Sequence, residues 1–246
     1  MKGFVTALQF LTIIRISKNH ELTEEELGSS MAWFPLVGLV IGLILAGVRS
    51  ILVLILPLFL ADVLVIATLV IVAGALHLDG FADTIDGLAG GKDRERILAI
   101  MKDSRIGSFA VAGLTLLLLL KVFALTGVPE DVKIRTLIVM PVLGRWSTVQ
   151  LASFFSYARS GSGTALAFTR FAGRKEYLVS TFITAAILTG FFQLRGLAVM
   201  LLVAAATLFI GFFFKRRIGG VTGDIMGASC ELNEVLCLLL ICGLLT

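Results

Sequence analysis

Apolar residues in this chain come in runs. Seven stretches, 31–48, 51–76, 107–127, 134–155, 176–193, 196–214 and 232–246, are rich in Leu, Ile, Val, Ala, Phe and Gly. Several approach the ~20 residues a helix needs to cross the hydrocarbon core of a bilayer. Stretch 51–76 is interrupted by Pro57 and Asp62, the boundary near Arg49 is soft, and 232–246 is short for a full crossing. Lipid leaves peptide groups no water to bond, and the runs lack the two-residue alternation of barrel strands. The pattern predicts an all-α, polytopic helical membrane protein. It would have about seven transmembrane helices plus short interfacial helices, in one domain over residues 1–246.

Composition agrees. Hydrophobic residues are 58% of 246 positions and mean hydropathy is +1.01, above the roughly half-apolar norm of soluble proteins. Segment 1–14 pairs Lys2 with an apolar stretch, but Gln9 interrupts it and no small-residue cleavage site follows. It reads as a retained, interfacial helix rather than a signal peptide. Cys230, Cys237 and Cys242 match no CxxC spacing and read as small apolar packing residues.

Charge then sets sidedness. If the seven spans cross in turn, segments 1–30, 77–106, 156–175 and 215–231 share one side and hold fifteen of the twenty-one Lys and Arg residues. Arg49, Lys133, Arg135 and Arg195 fall opposite, while Lys121 and Arg145 lie within spans. The positive-inside rule puts the fifteen in the cytoplasm, in a bacterial or archaeal cytoplasmic (inner) membrane. The net charge of +4 is therefore mostly a topology signal. No basic stripe is interleaved with exposed aromatics, so nucleic acid is not an expected partner and membrane lipid is. No internal repeat stands out, and with it goes the usual trace of an inverted-repeat transporter.

The chemistry-capable residues gather on that same side. In "HLDGFADTIDGLAGG", residues 77–91, three aspartates stand within eight positions. On a helix Asp79, Asp83 and Asp86 fall at about 0°, 40° and −20°, one narrow stripe. Like charges so spaced repel, and more so near a membrane. A divalent cation relieves that repulsion. Hard Mg²⁺ takes oxygen ligands, commonly one or two carboxylates plus substrate phosphates. A solvated turn capping a transmembrane helix explains one or two of the aspartates, but not three on one stripe. Gly80, Gly87, Gly90 and Gly91 leave room beside the backbone for a bulky ligand.

Further along, Ile97, Leu98, Ile100 and Met101 mixed with charges predict an amphipathic surface helix. Arg94, Arg96, Lys102 and Arg105 offer cations to phosphate oxygens. Asp103, Ser104 and Arg105 sit where the chain enters the next span. Arg145 lies inside an apolar span, which marks a functional or paired site. Residues 156–165 form a Gly/Ser loop beside Arg159, able to offer backbone N–H groups to an anion. In "GGVTGDIMGASCELNE", residues 219–234, Thr222 precedes Asp224, and Glu231 follows seven residues on, on the same helical face. Gly223 and Gly227 also suit small-residue helix packing. Lys121, alone among leucines, reads as a snorkelling side chain. His77 and His20 are the only histidines. His77 adjoins the aspartates as a base, a phosphate donor or a cap.

Taken together, "FLTIIRI" (10–16), "WFPLVGLVIG" (33–42), "HLDGFADTIDGLAGGKDRERILAIMKDSRIGSFAV" (77–111), "GR" (144–145), "YARSGSGTA" (157–165) and "GGVTGDIMGASCE" (219–231) resemble the cobalamin synthase family, adenosylcobinamide-GDP ribazoletransferase. The resemblance spans nearly the whole chain, and block 77–111 is its most specific part. Where the family more often has a proline after the arginine of the first block, Ile16 stands here.

The resemblance implies an Mg²⁺-dependent membrane transferase of late cobalamin biosynthesis. It would join adenosylcobinamide-GDP to α-ribazole or its 5′-phosphate and release GMP. Asp79, Asp83 and Asp86 would hold the metal on the diphosphate. Arg105, with Arg94, Arg145, Arg159, Ser104 and Thr222, would contact substrate. Asp103, Asp224 or Glu231 would complete the metal shell or take the hydroxyl proton. A homo-oligomer or association with other corrinoid-pathway enzymes is compatible with this. Three rival readings exist. A CDP-alcohol phosphotransferase needs an acidic tail that is missing after Gly91. A prenyltransferase needs a second aspartate-rich motif, which Asp224 and Glu231 imitate poorly. An ion-coupled transporter would place its acids near mid-membrane.

Overall fold

The computed structural model describes residues 2–16, 22–160 and 163–244. His20, Lys18 of segment 1–30, and Gly161 and Ser162 of the Gly/Ser loop lie outside the described residues. The described chain is helical: α1 (Lys2–Leu11), α2 (Glu24–Ser30), α3 (Phe34–Leu52), α4 (Leu58–Val72), α5 (Leu76–Gly90), α6 (Arg94–Ile100), α7 (Ser108–Gly127), α8 (Glu130–Phe154), α9 (Thr164–Phe171), α10 (Arg174–Ile218) and α11 (Gly223–Leu244). No strand occurs among the described residues, only one isolated parallel bridge between Tyr157 and Val221.

Five helices are long and apolar enough to cross a membrane, or six if α4 and α5 make one broken span. That count takes α10 as a single helix, so it does not confirm the expected seven. The stretches 176–193 and 196–214 are two arms of the single element α10, broken at Gln193, whose φ of 52° and ψ of −136° leave the helical region. The chain folds back there. A Cβ on Gly196 would meet the Leu188 carbonyl oxygen at 2.5 Å, which only a hairpin permits. Contacts along α8 trace both arms: Arg135 donates to the Phe191 carbonyl and Trp146 to Thr181, then Gln150 donates to the Ala204 carbonyl.

α8 is the axis of the bundle, with most of its apolar stretch buried against α3, α10 and α11. Lipid tails are as apolar as leucine, so helices in a membrane associate by close packing and polar ties. The packing is visible in G-x-x-x-G at Gly38 and Gly42. Cβ atoms there would lie 2.5 and 2.4 Å from the carbonyl oxygens of Pro141 and Ile138 on α8. By contrast, α7 and α10 leave Leu116, Phe123, Phe182 and Phe209 largely exposed, a face for lipid.

Two expected boundaries move. Stretch 51–76 is not one helix: α4 starts after Pro57, and α5 turns away from it by 89°. Gly74 and Ala75 make the corner in the left-handed region, at φ of 60° and 55°. At the non-glycine Ala75 this costs of order 1–3 kcal/mol. The end of α1 steadies the corner, as Ile13 N–H donates to the freed Val72 carbonyl at 2.9 Å.

The last span begins at Gly223, not at 232, and its 22 residues suffice for a crossing. Glu231, left just outside the expected span, lies inside it with Glu234 because Lys121 and Arg145 neutralise both acids. Lys121 therefore does not snorkel; it is 2% exposed and bonded to both acids. Cys230 and Cys237 are buried free thiols, in keeping with a packing role.

Candidate active site

α5 crosses α11 at glycines. A Cβ on Gly80 would sit 2.8 Å from the Asp224 carbonyl oxygen, and one on Gly227 would sit 3.1 Å from the His77 carbonyl oxygen. The close approach brings His77, Asp79 and Asp83 of α5 beside Asp224 at the start of α11. A cavity of about 210 Å³ opens at this crossing. Its lining includes His77, Asp79 and Asp224 and, packed on one another, Phe10, Phe34 and Phe168.

Two loops complete the polar side. Ala158 N–H donates to Val221 O and Val221 N–H to Ser156 O, both at 2.9 Å, so segments 156–158 and 219–221 are clipped together. Gly220 permits this, since a Cβ there would overlap the Ser156 carbonyl. The clip delivers Arg159 to Asp224: Nη2 donates to Oδ2 at 2.7 Å and to the Met101 carbonyl at 3.3 Å. Arg159 Nε is buried without a partner among the described residues. Thr222 donates to the same Asp224 oxygen at 3.2 Å, and its own Oγ1 accepts from Ile225 N–H.

The aspartate stripe divides. Asp86 accepts from Gly107 N–H at 2.6 Å and Ala110 N–H at 2.8 Å. It caps α7 from the neighbouring helix, where a negative charge meets the positive end of the dipole. Its oxygens are thus committed away from Asp79 and Asp83, which corrects the expectation of a three-aspartate set. Asp79 is exposed at the cavity and Asp83 half-buried, within electrostatic range of Asp224, Asp79, Arg159 and Asp86. Neither makes a hydrogen bond or ion pair among the described residues, where no group of three or more His, Cys, Asp or Glu is gathered to hold a metal unaided. Mg²⁺ does not need such a cage, since one or two carboxylates plus phosphate oxygens suffice. The free pair Asp79 and Asp83 fits that requirement.

Other expected residues sit elsewhere. Arg94 spends its donors on the carbonyls of Ile218 and Ala158, at 2.7 and 2.8 Å, tying α6 to both loops. Arg105 is 87% exposed and grips Asp103 at 2.6 Å, holding that carboxyl at about 2 through its hydrogen bonds. Ser104 is exposed beside them. None of these four lines the cavity.

Arg145 and Glu231 belong to a buried quartet under the site. Arg145 bonds Glu234, and Lys121 bonds both Glu234 and Glu231, the latter at 2.6 Å. His77 stands between this quartet and the cavity. It lines the cavity and also a small gap shared with Lys121 and Glu231. Its Nδ1 is buried without a partner, as is Arg145 Nε.

Sequence reading missed Glu234 and the cavity wall of Phe10, Phe34 and Phe168. Phenylalanine in an apolar run carries no chemical signal. Glu234 did carry one, as an acid one turn beyond Glu231 in a greasy segment.

The family model for cobalamin-5-phosphate synthase matches residues 3–242. The chain belongs to that family. It is 46% identical to an adenosylcobinamide-GDP ribazoletransferase of Geotalea daltonii, over 97% of this chain and 96% of the relative. Relatives of the same description from Pseudomonas savastanoi pv. phaseolicola and Clostridium acetobutylicum are 42% and 35% identical. They cover 97% and 95% of this chain, and 98% and 92% of their own lengths. No solved structure matches the chain. Membership in this family sets aside the phosphotransferase, prenyltransferase and transporter readings.

Proposed function

We propose that this chain joins adenosylcobinamide-GDP to α-ribazole or its 5′-phosphate and releases GMP, with its site facing the cytoplasm. The observation that carries the reading is the juxtaposition of Asp79 and Asp224, which line the cavity, with two groups behind them: Asp83, within electrostatic range of both, and Arg159, paired to Asp224. The orientation rests on the Lys and Arg residues concentrated at this end.

A ribose hydroxyl of the ribazole forms a new O–P bond at the cobinamide-side phosphorus. The P–O bond to GMP breaks, and GMP leaves with the electron pair. Such transfers depend on positioning and on neutralising charge at the phosphoryl oxygens. Asp79 and Asp83 would hold Mg²⁺. When bound, the ion neutralises the diphosphate and eases departure of GMP. Arg159 supplies a second cation, and its unpartnered Nε–H is a donor for a phosphate oxygen. Asp224 holds Arg159 by Oδ2, leaving Oδ1 to accept the hydroxyl proton. Asp86 contributes indirectly by fixing α7 against α5.

Purified protein supplied with adenosylcobinamide-GDP, α-ribazole and Mg²⁺ is expected to release GMP and form the cobalamin product, both followed by chromatography. Asp83→Asn should lower turnover by about a thousandfold while the protein stays folded. Folded wild-type protein that releases no GMP would overturn the reading. An Asp83→Asn variant at full rate would remove that carboxylate from it.

A further inference from the structure

The geometry points to the 210 Å³ cavity as the seat of the dimethylbenzimidazole ring of α-ribazole, with Phe10, Phe34 and Phe168 as its apolar wall. This rests on the activity proposed above and adds which substrate enters the bundle, and by which end.

Size excludes the larger partner. Pockets for drug-sized ligands run to ~300–1,000 Å³, so this one takes a fragment such as a bicyclic base and not a corrin macrocycle. Two aromatic bases remain, the guanine of the GDP group and the benzimidazole of the ribazole, and polarity separates them. Guanine carries donors and acceptors around its edge. Each would be stripped of water against an apolar wall, at a penalty where no partner is offered. The far edge of dimethylbenzimidazole carries only methyl groups, which such a wall accommodates.

The wall is shaped for a ring. Phe168 stands edge-on to both Phe10 and Phe34, with centroids 5.0 and 5.6 Å away and interplanar angles of 76° and 83°. Phe34 and Phe168 are 2% and 4% exposed, held by packing before any ligand arrives. Rigid aromatic walls favour edge-to-face or offset contact with an incoming ring. The cavity also has polar lining, His77, Asp79, Asp224, Thr148 and Thr164. A base seated against the phenylalanines directs its ribose toward Asp79, Asp224 and the unpartnered Nδ1 of His77. That is the side on which a hydroxyl must meet the diphosphate.

The test separates binding from turnover. Direct titration of α-ribazole into the full-length protein in detergent, without the corrinoid, should show saturable binding that guanosine does not displace. Phe168→Ala should weaken this binding about tenfold or more and raise the KM for α-ribazole alike. The KM for adenosylcobinamide-GDP should stay within about twofold. Phe168→Leu keeps an apolar side chain where alanine unfolds the site. It should reduce the preference for α-ribazole over the benzimidazole riboside lacking both methyls, from about tenfold or more toward unity.

Absence of α-ribazole binding to folded wild-type protein overturns the assignment, whether or not GMP is released. So does displacement by guanosine, or a rise confined to the KM of the corrinoid. Intact α-ribazole binding with no GMP formed would instead count against the proposed reaction and leave the seat standing.

Discussion

Two groups of four charges tie this bundle together, each with two cations and two anions. At the end away from the site, Arg49 and Lys133 share Asp62 and Glu130. Arg49 Nε lies 2.8 Å from Asp62 Oδ1, Lys133 Nζ lies 3.1 Å from Oδ2, and Glu130 bridges both cations. Each Asp62 oxygen has its own cation, while Glu130 is 49% exposed at the rim. Beneath the cavity, Lys121 and Arg145 share Glu231 and Glu234, all four 8% exposed or less. There the account does not close: Arg145 Nε and the adjoining His77 Nδ1 have no partner. A satisfied polar network rigidifies a fold, whereas orphaned buried groups are rare and concentrate where ligand, water or chemistry completes them. The first quartet is a clasp between α3, α4 and α8. The second supports a reaction site.

Breaking the inner quartet should have the largest effect. Glu234→Gln takes from Lys121 and Arg145 the acid they share, and is expected to destabilise the protein by about 3–5 kcal/mol in denaturant titration. Unchanged stability would mean that these charges do not depend on one another. Asp62→Asn in the outer clasp should cost somewhat less, about 3 kcal/mol, because Glu130 still serves both cations. Its kcat should equal wild type at temperatures where it is folded, and a selective loss of kcat would erase the distinction drawn between the two groups.

His77→Asn sharpens the contrast from the other side. It should lower kcat/KM about tenfold, equivalent to ~1.4 kcal/mol, with little change in Tm. A fall in Tm without a change in rate would make His77 part of the scaffold. Glu130→Gln, at the half-exposed rim, should cost about 0.5–1 kcal/mol, read from the same titrations.

The smallest effect belongs to the surface pair. Asp103 is held below its ordinary value of 3.8, at about 2, so its pairing with Arg105 favours folding above 3.8 and is lost as pH falls toward 2. Arg105 is exposed and Asp103 partly so, and water screens the pair. Asp103→Asn should leave Tm unchanged through that window, and a clear shift would reveal a role for this loop that its exposure hides.

The helical membrane character was legible because run length alone decides whether a segment can cross lipid. The small-residue packing expected at Gly223 and Gly227 was read from spacing, whereas the G-x-x-x-G at Gly38 and Gly42 was passed over. Misplacement of the last span had a definite cause. Asp224 and Glu231 count against burial in any local reading, while Lys121, the partner of Glu231, lies 110 positions away in sequence. The aspartate stripe was readable as a period, but its division was not. Asp86 turns away because amides of Gly107 and Ala110, some twenty positions on, arrive within 2.8 Å. Arg94 looked like a phosphate ligand for the same reason that it makes a good staple, a fork of donors that satisfies two carbonyls at once.

By itself, then, the chain determined that it would be a bundle of apolar helices with its acids and arginines grouped toward one end, since both follow from local hydropathy and the avoidance of bare charge in lipid. Only the tertiary structure decided which charges cancel one another and which carboxylates stay free for a substrate. That choice depends on side chains meeting across distant helices, and neither spacing nor composition records who meets whom.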